Sequence, residues 1–278
     1  MGDLVSVDEL IKSEPADNIL LFDCRFNLKE SKAGQLAYQK AHIPGARYAD
    51  LNKDLSNPHI PGLTGRHPLP DRHKWLKQLQ QWGITPQHKV VVYDDVGGAF
   101  ASRMWWMLRW VGHGNVAVLD GGWKAWLSSP AESTSQIPES IPVSDFEYSA
   151  LKSLTHSIEV EEIDASKQVL LDAREQERFD GEMEPIDPRA GHIPGALCSA
   201  GSANLDAIGK FKSVAELREK FTPAFSLEQK EVVCYCGSGV SAAQNILAMR
   251  IAGLEEPKLY VGSWSEWITD PARPIATK

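Results

Sequence analysis

The chain has 278 residues, enough for one large domain or two of ordinary size. Apolar residues make up 42% and charged residues 24%, a balance typical of a globular protein with a hydrophobic core. The formal net charge of −8 disfavours nucleic acid as a partner and offers no basic patch to a membrane, and four irregularly spaced cysteines are too few for a disulfide scaffold.

The first half of the chain alternates apolar strand patterns with helical ones. Its N-terminus lacks the basic and apolar regions of a signal peptide, and no apolar run is long enough to span a bilayer, so we expect a cytoplasmic location. The polar, proline-containing segment 52–70 predicts a long loop, which we expect to lie over the other half of the chain. Residues 89–94 and 116–119 are predicted strands, with a predicted helix over 99–111 between them. This order predicts βαβ units and a parallel sheet.

The second half of the chain repeats the motifs of the first half in the same order. The matched segments are 20–26 with 170–174, 41–46 with 191–196, 90–94 with 232–236, and 121–126 with 262–267. Four matches at nearly constant spacing indicate a duplicated domain. We therefore predict domains at 1–127 and 150–278, joined by a linker at 128–149 that is rich in Ser, Pro and Glu.

Residues 231–253 carry the strongest chemical signal in the chain. A short apolar strand ends at Cys236, a glycine-rich loop follows, and a helical pattern then runs to a C-terminal cap at Gly253. At such a junction, several backbone N–H groups and the positive end of a helix converge on one anion, and these surroundings lower the pKa of a thiol. Cys236 is therefore the candidate nucleophile, with the N–H groups of residues 237–242 as its anion cradle. The alternative is an inert buried thiol.

These motifs resemble those of the rhodanese superfamily of sulfurtransferases in its two-domain form, most specifically HIPGA at 192–196, CGSGV at 236–240 and YVGSWSEW at 260–267. The resemblance implies an α/β fold of two tandem rhodanese-like domains, each a mostly parallel β-sheet flanked by helices. It also implies that only the C-terminal domain is catalytic, since Asp94 stands at the position of Cys236 in the first copy. The implied reaction moves a sulfane sulfur through a Cys236 persulfide to a thiol, a dithiol protein or cyanide.

The loop after the cysteine distinguishes sulfur donors within this family. Thiosulfate enzymes tend to carry basic residues there, whereas the CGSGV loop resembles that of 3-mercaptopyruvate sulfurtransferases. Because Gly237 and Ser238 offer no cation, we expect 3-mercaptopyruvate as the donor, with thiosulfate as the alternative.

The resemblance also assigns substrate-binding residues. Arg178 and Arg189 match the family's substrate-binding arginines, which suit a carboxylate because a guanidinium donates two parallel hydrogen bonds. The loop residues predicted to contact substrate are Gly237, Ser238, Gly239, Val240 and Ser241. His67 is the candidate histidine of the family's Ser–His–Asp relay, with loop packing as the alternative. The relay's aspartate position is occupied by Asn52.

Features present in both copies are interpreted as structural, because only one copy has the nucleophile. His42 and His192 are predicted to stabilise turns, and Arg174 to form a fold-holding ion pair.

A cysteine phosphatase is disfavoured, because it needs an arginine six residues after the cysteine and Ala242 stands there. A non-catalytic rhodanese-type binding module is a further alternative, against which the intact loop argues. We predict no cofactor and no metal site, since no Cys or His pair has metal-ligand spacing, and we expect a monomer.

Overall fold

The computed structural model describes residues 2–13, 18–226 and 231–278. The chain forms two compact units. Unit 1 consists of Met1–Asn57, Leu69–Leu154 and Ala207–Lys210, and unit 2 of Pro58–Pro68, Thr155–Asp206 and Phe211–Lys278. Each unit is therefore made mainly from one half of the chain, with a short segment from the other half. No helix in the described part of the chain combines the length and the apolar character needed to cross a bilayer.

Unit 1 is built on a five-stranded parallel sheet. Its strands are β1 (Leu4–Val5), β2 (Ile19–Asp23), β3 (Arg47–Tyr48), β4 (Lys89–Tyr93) and β5 (Val116–Leu119). Its helices are α1 (Val7–Ile11), α2 (Ala33–Lys40), α3 (Arg72–Gln81), α4 (Ala101–Trp110) and α5 (Gly122–Leu127), with a 3₁₀ turn at Tyr148–Ala150. The strand order is β1-β5-β4-β2-β3, and each neighbouring pair is parallel. The central strands are almost wholly buried, which explains why they are continuous apolar runs.

Unit 2 repeats this architecture. Its strands are β6 (Ser157–Ile158), β7 (Gln168–Asp172), β8 (Leu197–Cys198), β9 (Glu231–Tyr235) and β10 (Lys258–Tyr260). Its helices are α6 (Gln176–Phe179), α7 (Val214–Phe225), α8 (Ala242–Ile251) and α9 (Ser263–Trp267), with 3₁₀ turns at Val160–Glu162 and Gly201–Asn204. The order β6-β10-β9-β7-β8 matches that of unit 1 strand for strand, and the pairing is again parallel. The predicted α/β fold of two tandem, mostly parallel sheets is confirmed.

A buried ion pair recurs at the same place in both units. In unit 2, Arg174 Nη2 lies 2.6 Å from Asp172 Oδ2 and donates to the Gly191 carbonyl at 2.7 Å, while the guanidinium stacks over Trp264 at 4.8 Å. The matched residues of unit 1 make the same contacts: Arg25, Asp23, Ala41 and Trp123. These contacts confirm the ion pair predicted for Arg174.

The two HIPGA histidines also have matching contacts. His192 Nδ1 lies 2.7 Å from the Phe179 carbonyl oxygen, and His42 Nδ1 lies 2.7 Å from that of Tyr38. Both rings are buried, and each joins the turn to the preceding helix. The contacts agree with the predicted turn-stabilising role.

Two segments that the sequence predicted as connections are part of the two compact units. Residues 128–149, predicted as a linker, belong to unit 1, where His42 pairs with Thr134 and the Ser144 N–H donates to the Gln80 carbonyl at 2.8 Å. Residues 58–68 of the predicted long loop belong to unit 2. The predicted domain ends, at 127 and 150, stay predictions.

Candidate active site

The candidate nucleophile lies in the loop between β9 and α8 of unit 2. Only 2% of Cys236 is exposed, and its N–H donates to Ser263 Oγ at 3.1 Å. Its carbonyl accepts from the Trp264 N–H at 3.0 Å, and the Gly237 carbonyl accepts from the Ser265 N–H at 2.9 Å. The start of α9 thus fixes the first two peptide groups of the loop.

Two residues with positive φ shape this loop. Gly239 has φ +70°, and a Cβ there would lie 2.2 Å from the Val261 carbonyl oxygen, so both the backbone conformation and the space require glycine. Ser263 has φ 55°, a conformation that costs a non-glycine residue about 1 kcal/mol or more. Its hydroxyl donates to the Tyr260 carbonyl at 2.8 Å while accepting from Cys236. The strained serine thereby holds the backbone at the nucleophile.

The matched loop of unit 1 shows what this backbone can bind. Asp94, at the position of Cys236, is completely buried. Its Oδ1 accepts from the N–H groups of Val96 and Gly98, and its Oδ2 from those of Phe100 and Ala101, at 2.8 to 2.9 Å. Burial raises the pKa of Asp94, and these four hydrogen bonds oppose that rise. The loop after β4 is therefore an amide cradle filled by a carboxylate of the chain itself.

The corresponding amides of unit 2 are open. Two of the matched donors, the N–H groups of Ser238 and Val240, lie at the same distances after the cysteine as their counterparts lie after Asp94. The other two, the N–H groups of Ser241 and Ala242, lie at the start of α8 as their counterparts lie at the start of α4. Across residues 2–13, 18–226 and 231–278, these four groups donate to no protein acceptor. They surround the N-terminus of α8, a ten-residue helix whose dipole also favours an anion. The loop around Cys236 is thus a preformed anion site without an internal anion.

Residues 58–68 bring His67 to this loop. His67 Nδ1 lies 2.7 Å from Ser238 Oγ, within hydrogen-bond distance, and both side chains are buried. The segment is fixed next to the loop because Gly65 packs against the backbone of Gly262 and the Arg66 N–H donates to Ser265 Oγ at 3.0 Å. His67 therefore contacts the loop after Cys236, and its role in a proton relay stays a prediction.

Arg178, on α6, is held over the loop by two carboxylates. Its Nη2 donates to Glu184 Oε1 at 2.7 Å and to Asp187 Oδ2 at 3.2 Å, and its Nε donates to Glu184 at 3.1 Å. Burial alone would raise the pKa of Glu184, but the hydrogen bonds from Arg178 and from backbone amides hold it below the ordinary value. Arg178 Nη2 lies 3.5 Å from the point where a Cβ on Gly237 would stand, which places its guanidinium beside the loop, while its substrate-binding role stays a prediction.

Arg66 is a site residue that the sequence prediction missed. Its Nη2 lies 2.7 Å from the same Cβ position on Gly237, and its Nε forms an ion pair with Asp187 Oδ1 at 3.1 Å. Burial lowers the pKa of Arg66, and the negative charge of Asp187 opposes the decrease. The prediction looked for cations only within the CGSGV loop, although Arg66 directly precedes the candidate histidine.

Arg189 has no hydrogen bond or ion pair with the loop within the described residues. The Arg189 carbonyl accepts from Trp264 Nε1 at 2.9 Å, and its buried Nη1 has no acceptor in the part of the chain that is described. The Asn52 N–H donates to Asp50 Oδ1 at 2.9 Å within unit 1. A substrate-binding role for Arg189 stays a prediction.

Similarity to known proteins points to the same chemistry. The model of the rhodanese-like domain matches twice, at residues 6–129 and 158–270. The chain is 46% identical to the probable 3-mercaptopyruvate sulfurtransferase of Pseudomonas aeruginosa, over 95% of this chain and 94% of that protein. It is 38% identical to the putative thiosulfate sulfurtransferase SseB of Mycobacterium tuberculosis, over 94% and 92%. The structure of 3-mercaptopyruvate sulfurtransferase from Leishmania major superposes with a TM-score of 0.84 and 31% identity, over 96% of this chain and 74% of that one.

Proposed function

Because this chain belongs to the rhodanese-like domain family and is a sulfurtransferase, we propose that Cys236 is its sulfur carrier and 3-mercaptopyruvate its donor. The observation that carries the proposal is the set of four open amides around Cys236, whose counterparts in unit 1 bind the Asp94 carboxylate. Sulfur transfer by a cysteine needs such a cradle, because both the thiolate and the persulfide are anions.

In the first half-reaction, the Cys236 thiolate attacks the sulfur of 3-mercaptopyruvate. An S–S bond forms and the C–S bond breaks, so that the bonding electron pair leaves with the three-carbon fragment as the pyruvate enolate. A proton then converts the enolate to pyruvate, and the enzyme holds the transferred sulfur as a Cys236 persulfide. The open amides bind the negative charge before and after the transfer.

In the second half-reaction, an acceptor thiolate or cyanide attacks the outer sulfur of the persulfide. A bond from the acceptor to the outer sulfur forms, the S–S bond to the enzyme breaks, and its electron pair returns to Cys236 as the thiolate. The two halves form a ping-pong cycle. A thiol, a dithiol protein and cyanide all fit this chemistry, and the choice among them stays a prediction, as do the monomeric state and the cytoplasmic location.

The surrounding side chains have separate roles in the proposal. Arg178 binds the donor carboxylate through the guanidinium nitrogen that its two carboxylate partners leave open. Ser238 and His67, 2.7 Å apart, form a hydrogen-bonded pair that positions a proton for the departing enolate. With Asn52 at the family's aspartate position, the proposal uses a two-membered pair in place of a three-membered relay.

Thiosulfate is the second candidate donor, and the cations beside Gly237 favour it. In that reaction the thiolate attacks the outer sulfur, the S–S bond of thiosulfate breaks, and sulfite leaves with the electron pair. Arg66 and Arg178 supply the positive charge that Gly237 and Ser238 lack.

The test is an assay of the purified protein with each donor, scored for pyruvate, for sulfite and for one added sulfur atom on Cys236 by mass spectrometry. We expect pyruvate release and sulfur on Cys236 with 3-mercaptopyruvate, and loss of both in Cys236→Ser. The matched control is Cys198→Ser, which alters a different thiol of unit 2, one that is partly exposed, and should keep full activity. Unchanged turnover in Cys236→Ser would remove this residue from the mechanism, and sulfite release without pyruvate would establish thiosulfate as the donor.

A further inference from the structure

Two guanidinium groups lie side by side over Gly237, and only one of them was expected. We propose that Arg66 and Arg178 together form a donor-binding anion site, in which Arg66 is the residue that determines how well the enzyme binds a doubly charged donor such as thiosulfate. This inference rests on the proposed function, because it concerns the donor of the same Cys236 site.

The geometry of Gly237 is the first support. A Cβ at this position would lie 2.7 Å from Arg66 Nη2 and 3.5 to 3.6 Å from the terminal nitrogens of Arg178. Both guanidinium groups therefore stand over the residue that directly follows Cys236, in space that a side chain at 237 would occupy. Arg66 thus supplies, from a distant segment of the chain, a cation that the loop does not carry.

The open nitrogens of these arginines are the second support. Within the described residues, Arg66 Nη1 and Nη2 and Arg178 Nη1 have no protein acceptor, whereas the remaining guanidinium nitrogens face Asp187 and Glu184. The arginine side chains keep 19% and 14% of their surface exposed, but those of Asp187 and Glu184 keep only 2% and 4%. The carboxylates lie behind the cations, so an incoming anion meets donors first.

Asp187 fixes the spacing of the two cations. Its Oδ1 lies 3.1 Å from Arg66 Nε and its Oδ2 lies 3.2 Å from Arg178 Nη2, so one buried carboxylate bridges both guanidinium groups. Arg66 is also fixed through its backbone, because its N–H donates to Ser265 Oγ and Gly65 packs on Gly262. A preorganised pair of cations binds an anion without the entropic cost of ordering two long side chains.

The charges of the two donors decide which one depends on Arg66. The carboxylate of 3-mercaptopyruvate carries one negative charge, which the single positive charge of Arg178 can balance through its open Nη1. Thiosulfate carries two negative charges distributed over oxygen and sulfur, so it gains from a second guanidinium. Removing Arg66 is therefore expected to weaken the binding of thiosulfate much more than that of 3-mercaptopyruvate.

The test compares Arg66→Gln with the wild-type protein on both donors. We expect the Michaelis constant for thiosulfate, or its inhibition constant against turnover of the other donor, to rise about 10- to 100-fold, the usual range for losing a charged hydrogen bond. With 3-mercaptopyruvate as the donor, the Michaelis constant should rise by a clearly smaller factor, because its carboxylate carries only one negative charge. Arg66→Lys keeps the positive charge without the planar pair of donors, so its Michaelis constant for thiosulfate should lie between those of the wild-type protein and Arg66→Gln.

Two further variants separate this role from a structural one. Gly237→Ala keeps Arg66 but places a methyl group 2.7 Å from its Nη2, so it should weaken thiosulfate binding in the same direction. Arg218→Gln is the matched control, since it removes an exposed arginine of α7 in the same unit and should change neither donor.

The outcomes distinguish this inference from the proposed function. Equal losses for both donors in Arg66→Gln, or a wild-type protein that neither uses nor binds thiosulfate, would overturn the role of Arg66. Absence of added sulfur on wild-type Cys236 with either donor would instead overturn the proposed function. Binding constants for thiosulfate would still report on Arg66 in that case.

Discussion

The loops that follow β4 and β9 occupy the same place in two sheets of identical strand order, yet one is filled and the other is open. Asp94 fills the first with its own carboxylate, which accepts four backbone hydrogen bonds. Cys236 stands at the start of the second, whose four matched amides have no acceptor in the described part of the chain. The same backbone thus holds an internal carboxylate in one copy and, in the proposed mechanism, the anions of the reaction in the other.

The identity of one side chain decides between these uses. A carboxylate that is permanently bound to the amides satisfies the loop and leaves no group able to carry sulfur. A thiol at the same position leaves the amides to the anions of the reaction, and that loop is stabilised from outside by Ser263 and the start of α9. The comparison predicts that mutation of Cys236 mainly lowers activity, whereas mutation of Asp94 mainly lowers stability.

Cys236→Ala tests the open loop and has the largest expected effect. Losing a covalent nucleophile should reduce turnover by about 10³-fold or more, while the small cavity left by one sulfur should cost about 1 kcal/mol of unfolding free energy. Steady-state turnover and urea denaturation measure the two quantities. If Cys236→Ala instead lost much of its unfolding free energy, and lost activity only in proportion to the fraction of unfolded protein, the alternative of an inert, structural thiol would be favoured.

Asp94→Ala tests the filled loop. It leaves four amides without an acceptor, three of them buried, so the free energy of unfolding should fall by about 3 to 5 kcal/mol. Turnover per folded molecule should be retained, because unit 2 supplies the site. Urea denaturation measures the loss, and Asp95→Ala is the control: this partly exposed neighbour should change stability by only about 0.5 kcal/mol. If the Asp94 variant proved as stable as its control, the carboxylate would not be what holds this loop.

The fold and the nucleophile's loop could be predicted because their signals are local. The helix predicted at 99–111 is observed at Ala101–Trp110, and the strand predicted at 89–94 is observed at Lys89–Tyr93. Apolar runs and glycines in short windows specify strands, turns and helices, and the duplication gave each of these signals twice. The position of Cys236 between a strand and a helix N-terminus follows from the same local pattern.

Apart from Arg178, the charged part of the site could not be predicted, because it comes from segments far apart in sequence. Arg66 reaches Gly237 because residues 58–68 pack with unit 2, as expected for this loop, but no pattern within the loop indicates which of its residues meets Gly237. Asp187 and Glu184 lie in an irregular segment, so their roles depend on arginines that the sequence does not place next to them. Long-range contacts of this kind leave no pattern in a short window.

Ser263 provides the finest test of the comparison, because the matched residue of unit 1 is Gly122, with the same φ of 55°. Ser263→Ala keeps the strained conformation and removes the acceptor of the Cys236 N–H, so it should cost about 1 to 2 kcal/mol of unfolding free energy. Ser263→Gly removes the same acceptor but relieves about 1 kcal/mol of backbone strain, so it should be nearly neutral. Urea denaturation of the two variants isolates the strain as their difference. Both should lower turnover to a similar extent, since each frees the peptide group at the nucleophile. If only the glycine variant lost activity, strain rather than the hydrogen bond would be what positions Cys236.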